Sequence, residues 1–204
     1  MPETNPYQAG RHFLQIPGPS NVPDRILRAM AQPTIDHRGP QFAELTLGIL
    51  EKLSRVFNSS SPIFIYPASG TGGWESALLN PLSPGDKVLA FETGHFATLW
   101  KNVADKLKLE IDWVEGDWRS GINTAVVSEK LSADKNHQIK AVMAVHTETS
   151  SGATSNIAAI RTAIDATNHP ALFMVDAVSS LACSEFQHDN WGVDVTISAS
   201  QKGL

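Results

Sequence analysis

Residues 193–204 read VDVTISASQKGL. Val193, Val195 and Ile197 alternate with Asp194, Thr196 and Ser198, which is the period of a β-strand. Gln201, Lys202 and Gly203 then break the pattern. A lysine just past a strand is either a surface residue or a reactive amine, and the sequence before it must decide which. Moving back along the chain, ALFMVDAV, IKAVMAVH, EIDWVEG, KVLAFE and PIFIYP read as further strands. Between them, IAAIRTAIDATN, TAVVSEKLSAD, FATLWKNVADKLK and the end of SGTGGWESALLN read as helices. Strands rich in Val and Ile that alternate with helices predict an α/β fold, a mostly parallel sheet with helices on both faces. Two more helices are predicted upstream, DRILRAMAQ and PQFAELTLGILEKLSRVF. In the second, Phe42, Leu45, Ile49, Leu53 and Val56 form an apolar stripe at helical spacing. Residues 1–20 read as an irregular arm ending in the Pro/Gly-rich IPGPSNVP turn, and 21–204 as the main body.

Composition fits such a domain. The 204 residues are 42% hydrophobic and 18% charged, enough apolar content for a substantial core. The net charge of -5 argues against a nucleic-acid or polybasic membrane surface. No apolar run approaches a membrane span, and MPETNPYQAGRHFLQ has no signal-peptide core. The one cysteine, Cys183, allows no intrachain disulfide and suits a reducing compartment, with the cytoplasm as the expected one.

In an open parallel sheet, ligands bind outside the carboxyl ends of the strands, so the residues just past each strand carry the chemistry. After PIFIYP come Ser69, Gly70, Thr71, Gly72 and Gly73, small residues at a helix start that suit a phosphate. Taken alone they are equally a tight turn, and they match neither a Walker loop nor a dinucleotide fingerprint. After KVLAFE, Phe96 could lie flat on a ring ligand or simply join the core. After IKAVMAVH, hydroxyls crowd positions 147–151. After ALFMV comes Asp176, a carboxylate that is costly to bury without a cationic or hydrogen-bonding partner. No His, Cys and carboxylate spacing nearby suggests a metal. Each feature is weak by itself. Together they suit pyridoxal 5'-phosphate, which needs a lysine amine, an acid at its ring nitrogen and a helix start at its phosphate.

The segments PGPSNVP, DHRGPQF, SGTGGWESALLNPLSPGDKVL, HTETSSG, VDAVSSL and WGVDVTISASQKGL resemble the class V aminotransferases of the type I pyridoxal-phosphate fold. The resemblance runs from about Phe13 to Leu204, and SGTGGWESAL and DHRGPQF favour the branch that acts on serine and glyoxylate. It implies that Lys202 is the Schiff-base lysine and shuttles the substrate's α-proton, and that Asp176 pairs with the pyridine nitrogen. It also implies that Val178 and Phe96 cover the two ring faces and that Thr149 bonds the ring's phenolic oxygen. Thr71, Gly72 and Gly73, with Gln201, would hold the phosphate, Gly73 through its N–H. Gly18 would lie near the substrate, and His37 and Arg38 near an active site of the same or a partner subunit.

The implied reaction moves the amino group of L-serine to glyoxylate, giving hydroxypyruvate and glycine, in a homodimer that acts on small amino and 2-oxo acids. Family members continue past the lysine motif into an antiparallel strand beside PIFIYP and DVTISAS, and then a small domain. The chain is therefore expected to be the N-terminal part of a cofactor-binding large domain. A substrate-carboxylate arginine, partner-subunit phosphate ligands and any C-terminal peroxisomal signal would lie further on. Rival readings are an alanine donor, another class V reaction, or a non-catalytic scaffold of the same ancestry. A desulfurase needs a mobile catalytic cysteine, for which Cys183 offers no support, and a scaffold needs neither Lys202 nor Asp176. A nucleotide-binding α/β domain is the more distant alternative.

Overall fold

The computed structural model describes residues 14–16, 18 and 20–204. Most of the arm expected over residues 1–20 lies outside these, as do Pro17 and Pro19 of the PGP turn. The chain divides into two units with the boundary between Thr34 and Ile35. In the first, the Leu14 N–H donates to Asn21 Oδ1 at 2.8 Å, and helix α1 runs Asp24–Met30 behind Pro23. None of α1 is buried, and Gly18 is half-buried.

The second unit holds helices α2 (Pro40–Phe57), α3 (Gly70–Leu79), α4 (His95–Lys106), α5 (Thr124–Ala133) and α6 (Ile157–Asp165). Its strands are β1 (Lys87–Phe91), β2 (Glu110–Val114), β3 (Ile139–Val145), β4 (Leu172–Asp176) and β5 (Val195–Ile197). They form one sheet in the order β2-β1-β3-β4-β5, and every pairing is parallel.

The two-residue period of the strands divides the core in two. Leu89, Phe91, Val142, Ala144, Phe173 and Val175 point to one face, where Val127 and Leu131 of α5 and Ile157, Ile160 and Ile164 of α6 cover them. Val88, Ala90, Ala141, Met143, Met174 and Ile197 point to the other, against Trp74 and Leu78 of α3 and Ala97, Trp100 and Ala104 of α4. Asp176 is two residues past Met174 and so belongs to the α3/α4 side, at the carboxyl edge of the sheet.

From β1 the chain crosses through α4 to β2 on one side, whereas from β3 it crosses through α6 to β4 on the other. These crossovers lie on opposite faces, so the strand order reverses between β1 and β3, the topological switch point at whose crevice such sheets bind ligands.

One expectation needs correction. PIFIYP forms no strand: Ile63–Tyr66 has no ladder partner among the described residues, and Phe64 is 74% exposed. A strand needs a neighbour for its N–H and C=O groups, and no described segment lies alongside. The α2 stripe forms but is largely uncovered. Val56 and Phe57 pack on the core, whereas Phe42, Leu45 and Ile49 are exposed. The end of α2 is anchored by the His188 N–H on Phe57 O (3.1 Å) and Asn58 Nδ2 on Phe186 O (2.8 Å). Beside it a groove of about 780 Å³ runs between Ile63–Tyr66 and β5.

Candidate active site

The helix starts differ on the two faces of the sheet. On one, Asn123 and Asn156 cap α5 and α6 with their own side chains, accepting from Ala125 N and Ala159 N. On the other, neither Ser69 before α3 nor Gly94 before α4 supplies a side-chain cap. The amides at these starts are therefore available to other partners.

At α3, the N–H groups of Gly72 and Gly73 donate to Ser69 O at 2.9 and 3.3 Å. Gly73 faces the sheet, where an added Cβ would stand 2.7 Å from Ile197 Cγ2. Gly73 thus serves the approach of α3 to β5, at the same helix start where Thr71 and Gly72 stand. Gly70 and Thr71 precede the first intrahelical donors, so their amides are the ones left over at this helix start. An added Cβ on Gly70 would meet Val178 Cγ2 at 3.1 Å, so the start of α3 lies directly against Val178.

Asp176 is 4% exposed at the end of β4. Its Oδ1 accepts the Val178 N–H at 2.8 Å and its Oδ2 accepts Trp74 Nε1–H at 2.9 Å. Trp74 comes from the second turn of α3 and stacks on Trp100 at 6.1 Å. Burial pushes the Asp176 carboxyl up to about 6, the two donors pull it down, and the nearby Glu148 charge raises it further. A buried acid held this way is stabilised by a cationic partner.

Thr149 follows β3, and its hydroxyl donates to Ser179 Oγ at 2.9 Å. Ser179 in turn gives its one hydroxyl proton to Thr147 O at 2.8 Å, so it can only accept from Thr149. Phe96, half-buried on the first turn of α4, packs on the α3/α4 core and meets His95 edge-on. Gln201 and Lys202 lie in the turn past β5, Gln201 exposed and Lys202 half-buried. That turn rests on the segment after Val178: a Cβ on Gly203 would overlap Leu181 O and stand 2.6 Å from Cys183 Sγ.

The sheet thus brings Asp176, Val178, Thr149, Phe96 and Lys202 to one carboxyl edge, with the start of α3 over Val178. His37 and Arg38 stand exposed in the turn before α2, and Gly18 belongs to the first unit. Sequence reasoning missed Trp74, Ser179 and Glu148. Glu148 is fully buried and accepts the Phe96, Ala97 and Ser150 amides, at 3.2, 3.1 and 3.1 Å. The rule that singled out Asp176, that a carboxylate past an apolar strand must be partnered, applies equally to Glu148.

These residues fit pyridoxal phosphate. Asp176 is a buried acid awaiting a cation, α3 starts without a side-chain cap, and Val178 and Phe96 are apolar surfaces near them.

Comparison with known proteins agrees. The chain is 52% identical to the serine–glyoxylate aminotransferase of Methylorubrum extorquens, over 96% of its own length and 49% of the relative's. It is 46% identical to the Arabidopsis thaliana enzyme of the same name, over 97% of the chain and 50% of the relative. An L-aspartate–glyoxylate aminotransferase from Paracoccus denitrificans is 45% identical over 93% of the chain and 48% of the relative. The crystal structure of an alanine–glyoxylate aminotransferase from Nostoc superposes with a TM-score of 0.87 at 28% identity, over 98% of the chain and 52% of that protein. The chain spans about half the length of the curated relatives it matches. Residues 12–204 match the family described as Aminotransferase class-V, and the chain belongs to that family.

Proposed function

We propose that the protein is a pyridoxal-phosphate-dependent aminotransferase that moves the amino group of L-serine to glyoxylate. The observation that carries this reading is the buried Asp176, held by Trp74 and Val178 at the strand end that faces the start of α3. When bound, the cofactor supplies an electron sink for the carbanion left by α-proton removal. Asp176 keeps the ring nitrogen charged, as an acid that needs a cation. Val178 and Phe96 would cover the ring faces and keep water from them. Thr149 orients the phenolic oxygen, with its hydroxyl steered by Ser179. Thr71, Gly72 and Gly73 would hold the phosphate, with the amides of Gly70 and Thr71 left over at this helix start and Gln201 reaching from the turn past β5. Lys202 would hold the cofactor through Nζ and would move the substrate's α-proton on the same atom.

Serine as donor is supported by the relatives at 52% and 46% identity, although one named for aspartate stands at 45%. Glyoxylate as acceptor is common to all of these names. The described chain is read as the N-terminal part of the large domain in a cytoplasmic homodimer, and the exposed apolar residues of α2 suit a subunit contact.

The reading is tested on the full-length protein by borohydride reduction and peptide mapping. A parallel assay compares serine, alanine and aspartate as donors to glyoxylate. The expected result is a phosphopyridoxyl group on Lys202, ping-pong kinetics and the highest kcat/KM with serine. An unmodified Lys202 overturns the enzyme reading, and a preferred donor other than serine overturns the substrate alone.

A further inference from the structure

We propose that Glu148 is a positioning residue that ties the ring plate Phe96 to the Thr149 loop across the crevice between β1 and β3. This rests on the cofactor reading given above for Phe96 and Thr149. Glu148 is fully buried, yet it comes from the loop past β3 and reaches over to the start of α4. Its Oε1 accepts the Phe96 N–H at 3.2 Å and its Oε2 the Ala97 N–H at 3.1 Å. Oε1 also accepts from Ser150, from its N–H at 3.1 Å and its hydroxyl at 2.8 Å. The His95 N–H donates to Ser150 Oγ at 2.9 Å. Every orphan amide of the first turn of α4 is thus met by a residue from the neighbouring strand end.

The cap could have been local, as Asn123 and Asn156 show for α5 and α6. Gly94 instead occupies the cap position of α4 and leaves room for the visitor. A Cβ there would overlap Glu148 Cγ and stand 2.6 Å from Ser150 Oγ. A remote cap does something a local one cannot: it fixes α4 relative to β3. Phe96 gives its own N–H to the carboxylate, and Thr149 is the residue after it in sequence. The crevice at this topological switch point is where such sheets bind ligands, so a strut across it sets the spacing between ring plate and hydroxyl. A carboxylate suits the task because both oxygens accept. A glutamine amide would turn a donor toward one of the amides.

The test compares wild type, E148Q and S150A in the full-length protein, each first freed of cofactor and then titrated with pyridoxal phosphate. Amide exchange is read at residues 95–97 without cofactor. Cofactor affinity and the visible circular-dichroism band of the bound cofactor are read afterwards. In E148Q the Phe96 and Ala97 amides exchange faster, the band changes, and the dissociation constant rises roughly tenfold, as expected within one hydrogen-bond network. In an F96A background, E148Q adds little further loss of affinity, because the strut acts through Phe96. A folded E148Q protein with unchanged exchange, or with faster exchange but unchanged band and affinity, overturns the proposal. If E148Q does not fold, S150A decides. It keeps the Glu148 carboxylate and removes the hydroxyl that links it to the His95 N–H, and unchanged His95 exchange and cofactor band in S150A likewise overturn the proposal. A wild-type protein that takes up no pyridoxal phosphate overturns the cofactor reading and the proposal with it. Uptake by wild type beside unchanged variants overturns the proposal alone.

Discussion

Asp176 shows how a functional group can cost the fold that carries it. The carboxyl is 4% exposed, and burial pushes it from the ordinary 3.8 up to about 6. Below 3.8 the folded and unfolded chains both hold the proton. Between 3.8 and about 6 only the folded chain holds it, so stability falls as pH rises through this window and is level above it. Complete titration removes about 3 kcal/mol in the cofactor-free protein. Other carboxylates titrate in the same range, so the expected result is a difference. Relative to D176N, the cofactor-free wild type loses about that much stability between pH 4 and pH 7. Urea denaturation of the two proteins across this range checks it. Parallel profiles would show that Asp176 does not carry the burden assigned to it. A cationic partner beside the carboxylate would offset this cost.

At the scale of elements, the approach of α3 to β5 depends on Gly73. Replacing it with Ala offers up to about 1 kcal/mol of helix propensity. The new Cβ, however, would lie 2.7 Å from Ile197 Cγ2, on a β-branched side chain that is 4% exposed and has little freedom to move. Overpacking of that kind costs about 1–3 kcal/mol, so the clash outweighs the propensity gain. G73A is expected to lower stability and to weaken cofactor retention, because α3 also carries Trp74 and the Gly70 and Thr71 amides. Combining G73A with I197A should cost less than the sum of the two changes, since the second makes room for the first. Additive losses would count against this contact. Five strands and the helices between them were legible in the sequence, because period-2 and period-3.6 patterns are local. Asp176 was legible for a similar reason: an acid closing an apolar strand stands out by itself. Its partner Trp74 lies 102 residues away and Glu148 lies 52 residues from Phe96. Such pairings depend on strand order, which no local pattern carries. The close packing of Gly73 on Ile197 was not legible either, because glycine at a helix start suits both an anion and a close-packed strand.

At the scale of the whole molecule, the β5 edge of the sheet combines an open strand edge with exposed apolar side chains. Among the described residues β5 pairs with β4 alone, and its other edge faces the groove of about 780 Å³ bounded by Ile63–Tyr66. Phe64, Ile65 and Tyr66 are 74%, 58% and 51% exposed there, and Leu45 and Leu47 of α2 are 52% and 67% exposed nearby in sequence. Stable monomers seldom show apolar surface on this scale, and an open strand edge is a template for pairing with another chain. An antiparallel strand of the kind expected beside PIFIYP and DVTISAS would satisfy both sides of the groove at once. Residues 1–204 expressed alone are therefore expected to bind an apolar-surface dye and to self-associate. I65K, which places a charge on the exposed side of the groove, should reduce both effects without touching the core. The full-length protein should show neither, with the same side chains protected from solvent. Light scattering, dye fluorescence and side-chain footprinting at Phe64 and Tyr66 measure these three expectations. Residues 1–204 that stay monomeric, exclude the dye and unfold cooperatively would mean that the groove closes within this chain, and that Ile63–Tyr66 finds its cover without any added strand.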